Sequence, residues 1–489
     1  MKANQDKPLK KIVGRAGVWL VARQLVLRGL PLIQFIILAN ILTPADFGLY
    51  AIAMLVFGFV EAVTYLGFGH ALIQRQSVET HHFNTLFIMN FLRGVLVSAF
   101  ILAVAGSVSR FFNSPESEQL VSMIAVLPII NGLYNPAIIM FQKELNMKQE
   151  FLLHVISAAV GFSVSIVLAV HGVGAAALII GLAIQASVQL LCTYTLHSFR
   201  PRVQFTASAF YEMFDFGKWL FLAQGMKYLS VNLPSWTIGR YVGVEPLGLY
   251  SVATRFGQTL VSEFTSIISV LAFPLFSKMQ SEKKQLSETY LLTQRVCVTG
   301  AFLLSSVVIA CAEPFVRLVL GPEWVSATSM IAPLAVFAAT QSIGSQMDIL
   351  KSLNRTKLVF QSSLLRLLFI SAIIVPATIK FGVIGAIFSI TIPAVFLTIV
   401  TQTIILRELD IPGWIYGSII VSAVVGMVSS AFAARVLVSC VTPDNNAGQI
   451  ILLSSVVVVF IITCLLADHI FKSGILHAWK SLMRLVTTK

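Results

Sequence analysis

The sequence predicts an all-α integral membrane protein of about fourteen transmembrane helices: two six-helix lobes related by an internal repeat, plus an extra C-terminal helix pair. Three observations predict it. Composition comes first: of 489 residues, 57% are hydrophobic and 11% charged, against about 25% charged in an ordinary soluble domain, and mean hydropathy is +0.87. The second is an ungapped repeat in which residues 17–53 return at 217–253. Gly17, Trp19, Leu20 and Gln24 fall on Gly217, Trp219, Leu220 and Gln224, and Gly48, Leu49, Tyr50 and Ala53 on Gly248, Leu249, Tyr250 and Ala253. The third is the placing of positive charge. With a cytoplasmic N-terminus, cytoplasmic segments hold twenty-one Lys and Arg, and the outer loops four (Arg110, Arg240, Arg317 and Lys380). Such a bias sets orientation, places both termini in the cytoplasm and requires an even number of spans.

Taken in order, apolar runs predict spans at 16–40, 47–70, 84–109, 119–141, 150–170, 173–196, 213–241, 247–275, 290–312, 326–350, 358–379, 383–406, 412–440 and 447–470, each long enough to cross a bilayer. The first and seventh carry charges and are supported by the repeat. The basic start (Lys2, Lys7, Lys10, Lys11, Arg15) leads into a run without a small-residue cleavage site, so the first span is expected to be retained. Pro44 and Asp46 predict a tight turn, with Asp46 capping the next helix and Tyr50 as an interfacial anchor. Asn113-Ser114-Pro115-Glu116 and Thr442-Pro443-Asp444-Asn445 read as outer turns, and Gly321-Pro322-Glu323-Trp324 as an outer turn with an interfacial Trp. Leu145-Asn146-Met147-Lys148 is echoed by Leu353-Asn354-Arg355-Thr356-Lys357, and Gly172-Val173 by Gly382-Val383. Each repeat therefore holds six spans in the same orientation, about an axis along the membrane normal, a plan that puts a transporter's site between halves. The expected division is 1–205, 206–406 and 407–489.

Several function classes are excluded. The net charge of +13 is largely a topology signal, whose partner is the anionic inner leaflet and not a nucleic acid. The five cysteines have no CxxC spacing, and the eight histidines are scattered, so no metal site is expected. Gly172, Gly174 and Ala177 fit a GxGxxA pattern, but it opens a membrane span with no strand before it. No P-loop, HExxH or GxSxG is present; the chain carries no catalytic set and is read as not an enzyme. Short outer loops without a DxD pair leave a membrane-bound polymerase or glycosyltransferase as the weaker reading.

Buried charge carries the functional signal. Arg23 and Arg28 in span 1, Glu61 in span 2, Lys227 in span 7, Arg255 and Glu263 in span 8 and Arg366 in span 11 sit inside apolar runs. A cation at a helix centre costs about 2.5–3.5 kcal/mol. Structural ion pairing with Glu61 and Glu263 accounts for two of these five cations, so the excess predicts a cation-lined cavity. Gln24 and Arg28 are four apart, and Gln224 and Lys227 three apart, so each helix presents an amide and a cation on one face. Each helix then meets a bending proline, Pro31 or Pro234, and broken helices commonly build transporter sites. Arg28 and Lys227, assisted by Arg255, are expected to grip an anion, with Arg23, Arg366, Gln24 and Gln224 in the same set. Glu61 and Glu263 are the candidates for coupling to a proton or sodium gradient, and no cofactor is expected.

The stretches LTPADFGLY (42–50), LGFGHALIQRQ (66–76), FQKEL (141–145), PFVRLVLGPEW (314–324) and EPLGLY (245–250) resemble the bacterial oligosaccharide flippases. These belong to the multidrug/oligosaccharidyl-lipid/polysaccharide exporter superfamily, and the likeness is strongest to the polysaccharide-transporter branch. The resemblance implies an inner-membrane protein of fourteen helices whose two lobes form a V around a cationic cavity. It also implies alternating-access transfer of an undecaprenyl-diphosphate-linked oligosaccharide to the outer leaflet, for surface polysaccharide synthesis. An Arg fork matches diphosphate oxygens bidentately. Membrane lipids and a polymerase of the same pathway are the other implied partners, and spans 13–14 offer a groove for the lipid tail. A lipid II flippase or a cation-coupled drug antiporter of the same superfamily is the alternative.

Overall fold

In a bilayer every backbone N–H and C=O must be satisfied inside the chain, and a sequence this apolar does so with helices. The computed structural model describes residues 29–65, 67–68, 72, 79–143, 147–280, 282–344, 348–353, 355–440 and 446–471. Among them there are helices and turns and no strand. Among the described residues, eight helices are long and apolar enough to cross a membrane. The chain forms two compact units, Met1–Gly248 and Leu249–Lys489.

The first unit contains α1 (Gly29–Ala39), α2 (Pro44–Thr64), α3 (Thr80–Phe112), α4 (Glu116–Ile124), α5 (Val126–Gly132), α6 (Ile139–Lys143), α7 (Met147–Val170), α8 (Ala176–Leu196) and α9 (Ala207–Tyr241). The helix expected to begin near residue 47 starts at Pro44. Thr43 is its N-cap: the Asp46 amide donates to the Thr43 hydroxyl, and the Thr43 amide donates to the Asp46 carboxylate at 3.0 Å. Proline at the first helical position lacks only an N–H that would be orphaned there anyway. The span expected at 119–141 is instead α4, α5, a short turn at Pro136–Ile138 and α6. Pro128 and Pro136 each remove a backbone donor, and Asn135 caps the restart by accepting from the Ala137 amide at 3.1 Å.

Contacts define the two ends of this unit. At one end the Asp46 carboxylate accepts from the Ala175 amide at 2.9 Å. Arg240 donates to the Phe111 carbonyl at 2.7 Å and to the Asn113 side chain at 2.9 Å. Gly48 packs on the backbone of Val244, and Gly248 on the backbone of Pro44. At the opposite end the connection after α8 is strapped down. Asn84 accepts from the Arg202 amide at 2.9 Å, Thr85 accepts from the Thr206 amide at 3.1 Å, and Asn135 donates to the Phe199 carbonyl at 2.8 Å. Asn84, Thr85 and Asn135 are buried polar groups, and each satisfies the linker backbone that buries it.

α9 opens the second repeat, yet it packs on α2. The Tyr228 hydroxyl donates to the Leu55 carbonyl at 2.7 Å, and Trp236 stacks on Phe112 with ring centroids 5.4 Å apart. The expected lobe boundary is 205/206, while the compact units divide at 248/249.

The second unit holds most of α10 (Val244–Met279), then α11 (Lys283–Phe315), α12 (Thr328–Gly344), α13 (Asp348–Ser352), α14 (Thr356–Glu408), α15 (Gly413–Cys440) and α16 (Asn446–Phe471). α14 is two helices joined at Gly382, whose φ of 61° breaks the helical path. This is the break expected between spans 11 and 12. A buried polar network ties α11, α12, α14 and α15 together. Gln294 donates to the Tyr290 hydroxyl at 3.3 Å, Tyr290 donates to Gln402, and Gln402 and Tyr416 both donate to the Ile343 carbonyl. Ile343 lies in the last turn of α12, where carbonyls lack helical partners. Trp324, expected at the membrane interface, is only 1% exposed. Its indole is packed inside the protein, where a large aromatic surface is removed from water.

Candidate functional site

A charged pair inside the apolar runs lies between α2 and α3. Glu61 sits in the last turn of α2, and Arg93 in the interior of α3. One guanidinium nitrogen of Arg93 donates to Glu61 at 2.9 Å and to the Thr64 hydroxyl at 3.1 Å, while the other reaches the second Glu61 oxygen at 3.5 Å. This is the two-pronged Arg–carboxylate arrangement. Glu61 and Thr64 are three apart, so they share a helical face. The next residue, Gly94, has the Pro128 carbonyl where a Cβ would stand, so α5 fixes the backbone that carries Arg93. The two side chains keep 21% and 23% of their surface exposed: the pair is inside a span without being sealed.

Arg93 is missing from the expected cation set, although it lies inside the apolar run 84–109. A second signal was also available. Glu61 and Arg93 are 32 residues apart, and Glu263 and Arg295 are separated by the same 32.

The expected site residues fall as follows. Arg23, Gln24 and Arg28 lie outside the described residues. Gln224 is half-buried on α9 and Lys227 is exposed. The neighbouring Tyr228 faces α2, and a one-residue step on a helix turns Lys227 away from that contact. In the second unit Arg255 and Glu263 are half-buried on α10. Arg366 on α14 donates to Gln341 at 3.4 Å and lies 6.0 Å from the centre of the Phe337 ring, so α12 supplies both an amide and an aromatic face to this cation. The structure therefore brings Glu61 to Arg93 and Arg366 to Gln341. Gln224 and Lys227 are in one unit, Arg255, Glu263 and Arg366 in the other. Among the described residues no three His, Cys, Asp or Glu side chains gather as a metal site.

Comparison with known proteins places this geometry in context. Residues 37–329 match the family described as "Polysaccharide biosynthesis protein". The chain is 22% identical over 395 residues to the lipopolysaccharide biosynthesis protein WzxC of Escherichia coli (strain K12), covering 80% of each protein. It is 24% identical over 326 residues to the succinoglycan biosynthesis transport protein ExoT of Rhizobium meliloti (strain 1021), covering 67% of this chain and 66% of that one. In fold it is similar to the lipid II flippase MurJ in an inward closed conformation. The TM-score is 0.74 at 13% identity, over 92% of this chain and 99% of the other. An inward-facing MATE family multidrug transporter of the MOP superfamily matches at a TM-score of 0.62 and 16% identity, over 81% of this chain and 99% of that one.

Proposed function

Because this chain belongs to the polysaccharide biosynthesis protein family, we propose that it is a flippase for undecaprenyl-diphosphate-linked oligosaccharide, working by alternating access in the bacterial inner membrane. The observation that carries the reading is the family match over residues 37–329, borne by a multi-pass helical protein with the fold of MOP-superfamily transporters. The relatives are named for polysaccharide biosynthesis and its transport, and the resemblance to the oligosaccharide flippases supports a lipid carrying a diphosphate and sugars as the substrate. The reading includes fourteen spans with both termini cytoplasmic, lobes at 1–205 and 206–406, and a helix pair at 407–489. Its phosphate ligands are Arg23, Arg28, Lys227, Arg255 and Arg366, with Gln24 and Gln224 beside them. Glu61 and Glu263 are its candidates for coupling to a proton or sodium gradient, and a polymerase of the same pathway is its expected neighbour.

A leaflet-resolved assay in proteoliposomes tests it. Defined undecaprenyl-diphosphate oligosaccharides should move between leaflets at a rate above protein-free vesicles, and Arg28→Ala and Lys227→Ala should slow that movement about tenfold to a hundredfold, the size of one lost charge-assisted contact. No movement of any diphosphate lipid overturns the reading. The likeness to the lipid II flippase fold supports a second reading, in which lipid II itself is the cargo. Preferential movement of lipid II over oligosaccharides lacking its peptide favours that reading.

A further inference from the structure

Two Arg–Glu pairs of equal spacing occur in the chain, one in each repeat. Glu61 is in the second span of the first repeat and Arg93 in the third, and their side chains are joined. Glu263 and Arg295 lie in the second and third spans of the second repeat, each displaced from Glu61 or Arg93 by 202 positions, two more than the 200 of the ungapped repeat at 17–53. They match as a pair by their common spacing of 32 and by span, not by the ungapped register. Phe264, next to Glu263, packs on α11 at Gly300 and in one cluster with Val261 and Ala301, so α10 and α11 are neighbours about a turn and a half beyond Arg295. Chance does not readily place a carboxylate and a guanidinium at one spacing in two apolar segments, where each charge is costly.

Depth adds to this. Glu61 is 17 residues from the start of α2 at Pro44, or about 26 Å at 1.5 Å per residue. Arg93 is 19 residues from the end of α3 at Phe112, or about 29 Å. Both of those helix ends belong to the end of the unit held together by Asp46, Arg240 and Asn113, which is the outer end in the expected topology. With those helix ends at the outer edge of a hydrocarbon core about 30 Å thick, the expected orientation puts the pair near the cytoplasmic boundary. That is the depth at which the headgroup of an inner-leaflet lipid enters.

We propose that Arg93 is a headgroup-phosphate ligand held in reserve by Glu61, and that Arg295 and Glu263 are its counterpart in the other repeat. The proposal rests on the flippase reading above and adds a site to it. The two guanidinium nitrogens that face the Glu61 oxygens have the spacing that also suits two phosphate oxygens. While no anion is present, Glu61 neutralises Arg93 and spares the span an uncompensated cation. An arriving diphosphate, with more charge than a carboxylate, displaces Glu61 from the fork. Thr64, one turn away on the same face of α2, is within hydrogen-bond reach of Arg93 and keeps a neutral contact through the exchange. In this account Glu61 is a competitor of the substrate.

The test is equilibrium binding of undecaprenyl diphosphate to the full-length protein in lipid nanodiscs. The parent should bind. Glu61→Gln, which keeps shape and hydrogen bonding but removes the competing charge, should tighten binding about tenfold. Arg93→Ala should weaken it about tenfold to a hundredfold, and Arg93→Lys should fall between, since charge remains while the fork is lost. Glu263→Gln and Arg295→Ala should change binding with the same signs. A purely structural pair predicts that Glu61→Gln leaves binding unchanged or weakens it, because loss of a packing contact does not raise affinity. Either result overturns the inference, even if Arg93→Ala fails to accumulate. Parent binding with unaltered Glu61→Gln and Arg93→Lys variants removes this inference and leaves the flippase reading in place. A parent that does not bind the diphosphate lipid removes both.

Discussion

Residues 40–48 and their repeat counterparts 240–248 enter a helix by the same Gly-Leu-Tyr step but are held by different chemistry. In the first, Thr43 and Asp46 cap α2 reciprocally, and the other Asp46 oxygen takes the Ala175 amide at 2.9 Å. In the second, Gly243 stands where Thr43 does and turns the chain at φ 124°, and Pro246 stands in place of Asp46. What they share is the glycine. Gly48 lies on the carbonyl of Val244, and Gly248 lies on the carbonyl of Pro44. The helix starts thus cross reciprocally, each glycine against the residue that heads the other turn. The comparison separates two kinds of constraint. A close backbone crossing admits one residue type and preserves it in both repeats, whereas capping has several solutions and has drifted.

Five substitutions sharpen that contrast, taken from the largest expected effect. Gly248→Ala and Gly48→Ala each put a methyl into a partner's backbone, which flexible side chains cannot relieve. Each should destabilise the protein by about 3 kcal/mol or more, at the upper end of overpacking costs, seen as a fall in thermal unfolding temperature and in membrane abundance. Tolerance of either alanine would mean the helix starts do not approach this closely. Asp46→Ala removes the return half of the capping box and orphans the Ala175 amide, for about 1–2 kcal/mol. Pro246→Ala, at the matching position, should cost a small fraction of that; equal costs would erase the asymmetry between the two turns. Thr43→Ala loses one cap acceptor and should cost about 0.5–1 kcal/mol, read as faster amide exchange in the first turn of α2 more than as a lower unfolding temperature.

The same distinction between local and distant constraint explains what was readable beforehand. The start of α2 and the break at Gly382 were legible to within a few residues, because Pro44, Asp46 and Gly382 act through their own dihedrals and nearest neighbours. The fragmentation of 116–143 is not anticipated: the apolar run reads as one continuous span at 119–141, although Pro128 and Pro136 lie within it. Trp324 is packed within the protein and its ring is no lipid anchor; an aromatic in an outer turn reads the same in the sequence whether it faces lipid or protein. Glu61 was picked out as a buried carboxylate, but its tie to Arg93 was not, although both sit in apolar runs.

The sequence by itself determined that this is a multi-pass helical membrane protein, that it carries a repeat of 200 positions between its first and seventh spans, and which spans hold charge. These properties are sums over composition or follow from spacing along one helix, so they survive without coordinates. Only the tertiary structure decided the partners. Asp46 meets Ala175 across 129 positions, Arg202 meets Asn84 across 118, and Tyr290 meets Gln402 across 112. It also decided that α9, second-repeat by pattern, is buried against α2. The physical reason is that a buried polar group needs some partner of the right chemistry, and a long chain offers many. Which one it takes is set by the helix crossings, and those depend on the packing of every neighbour at once.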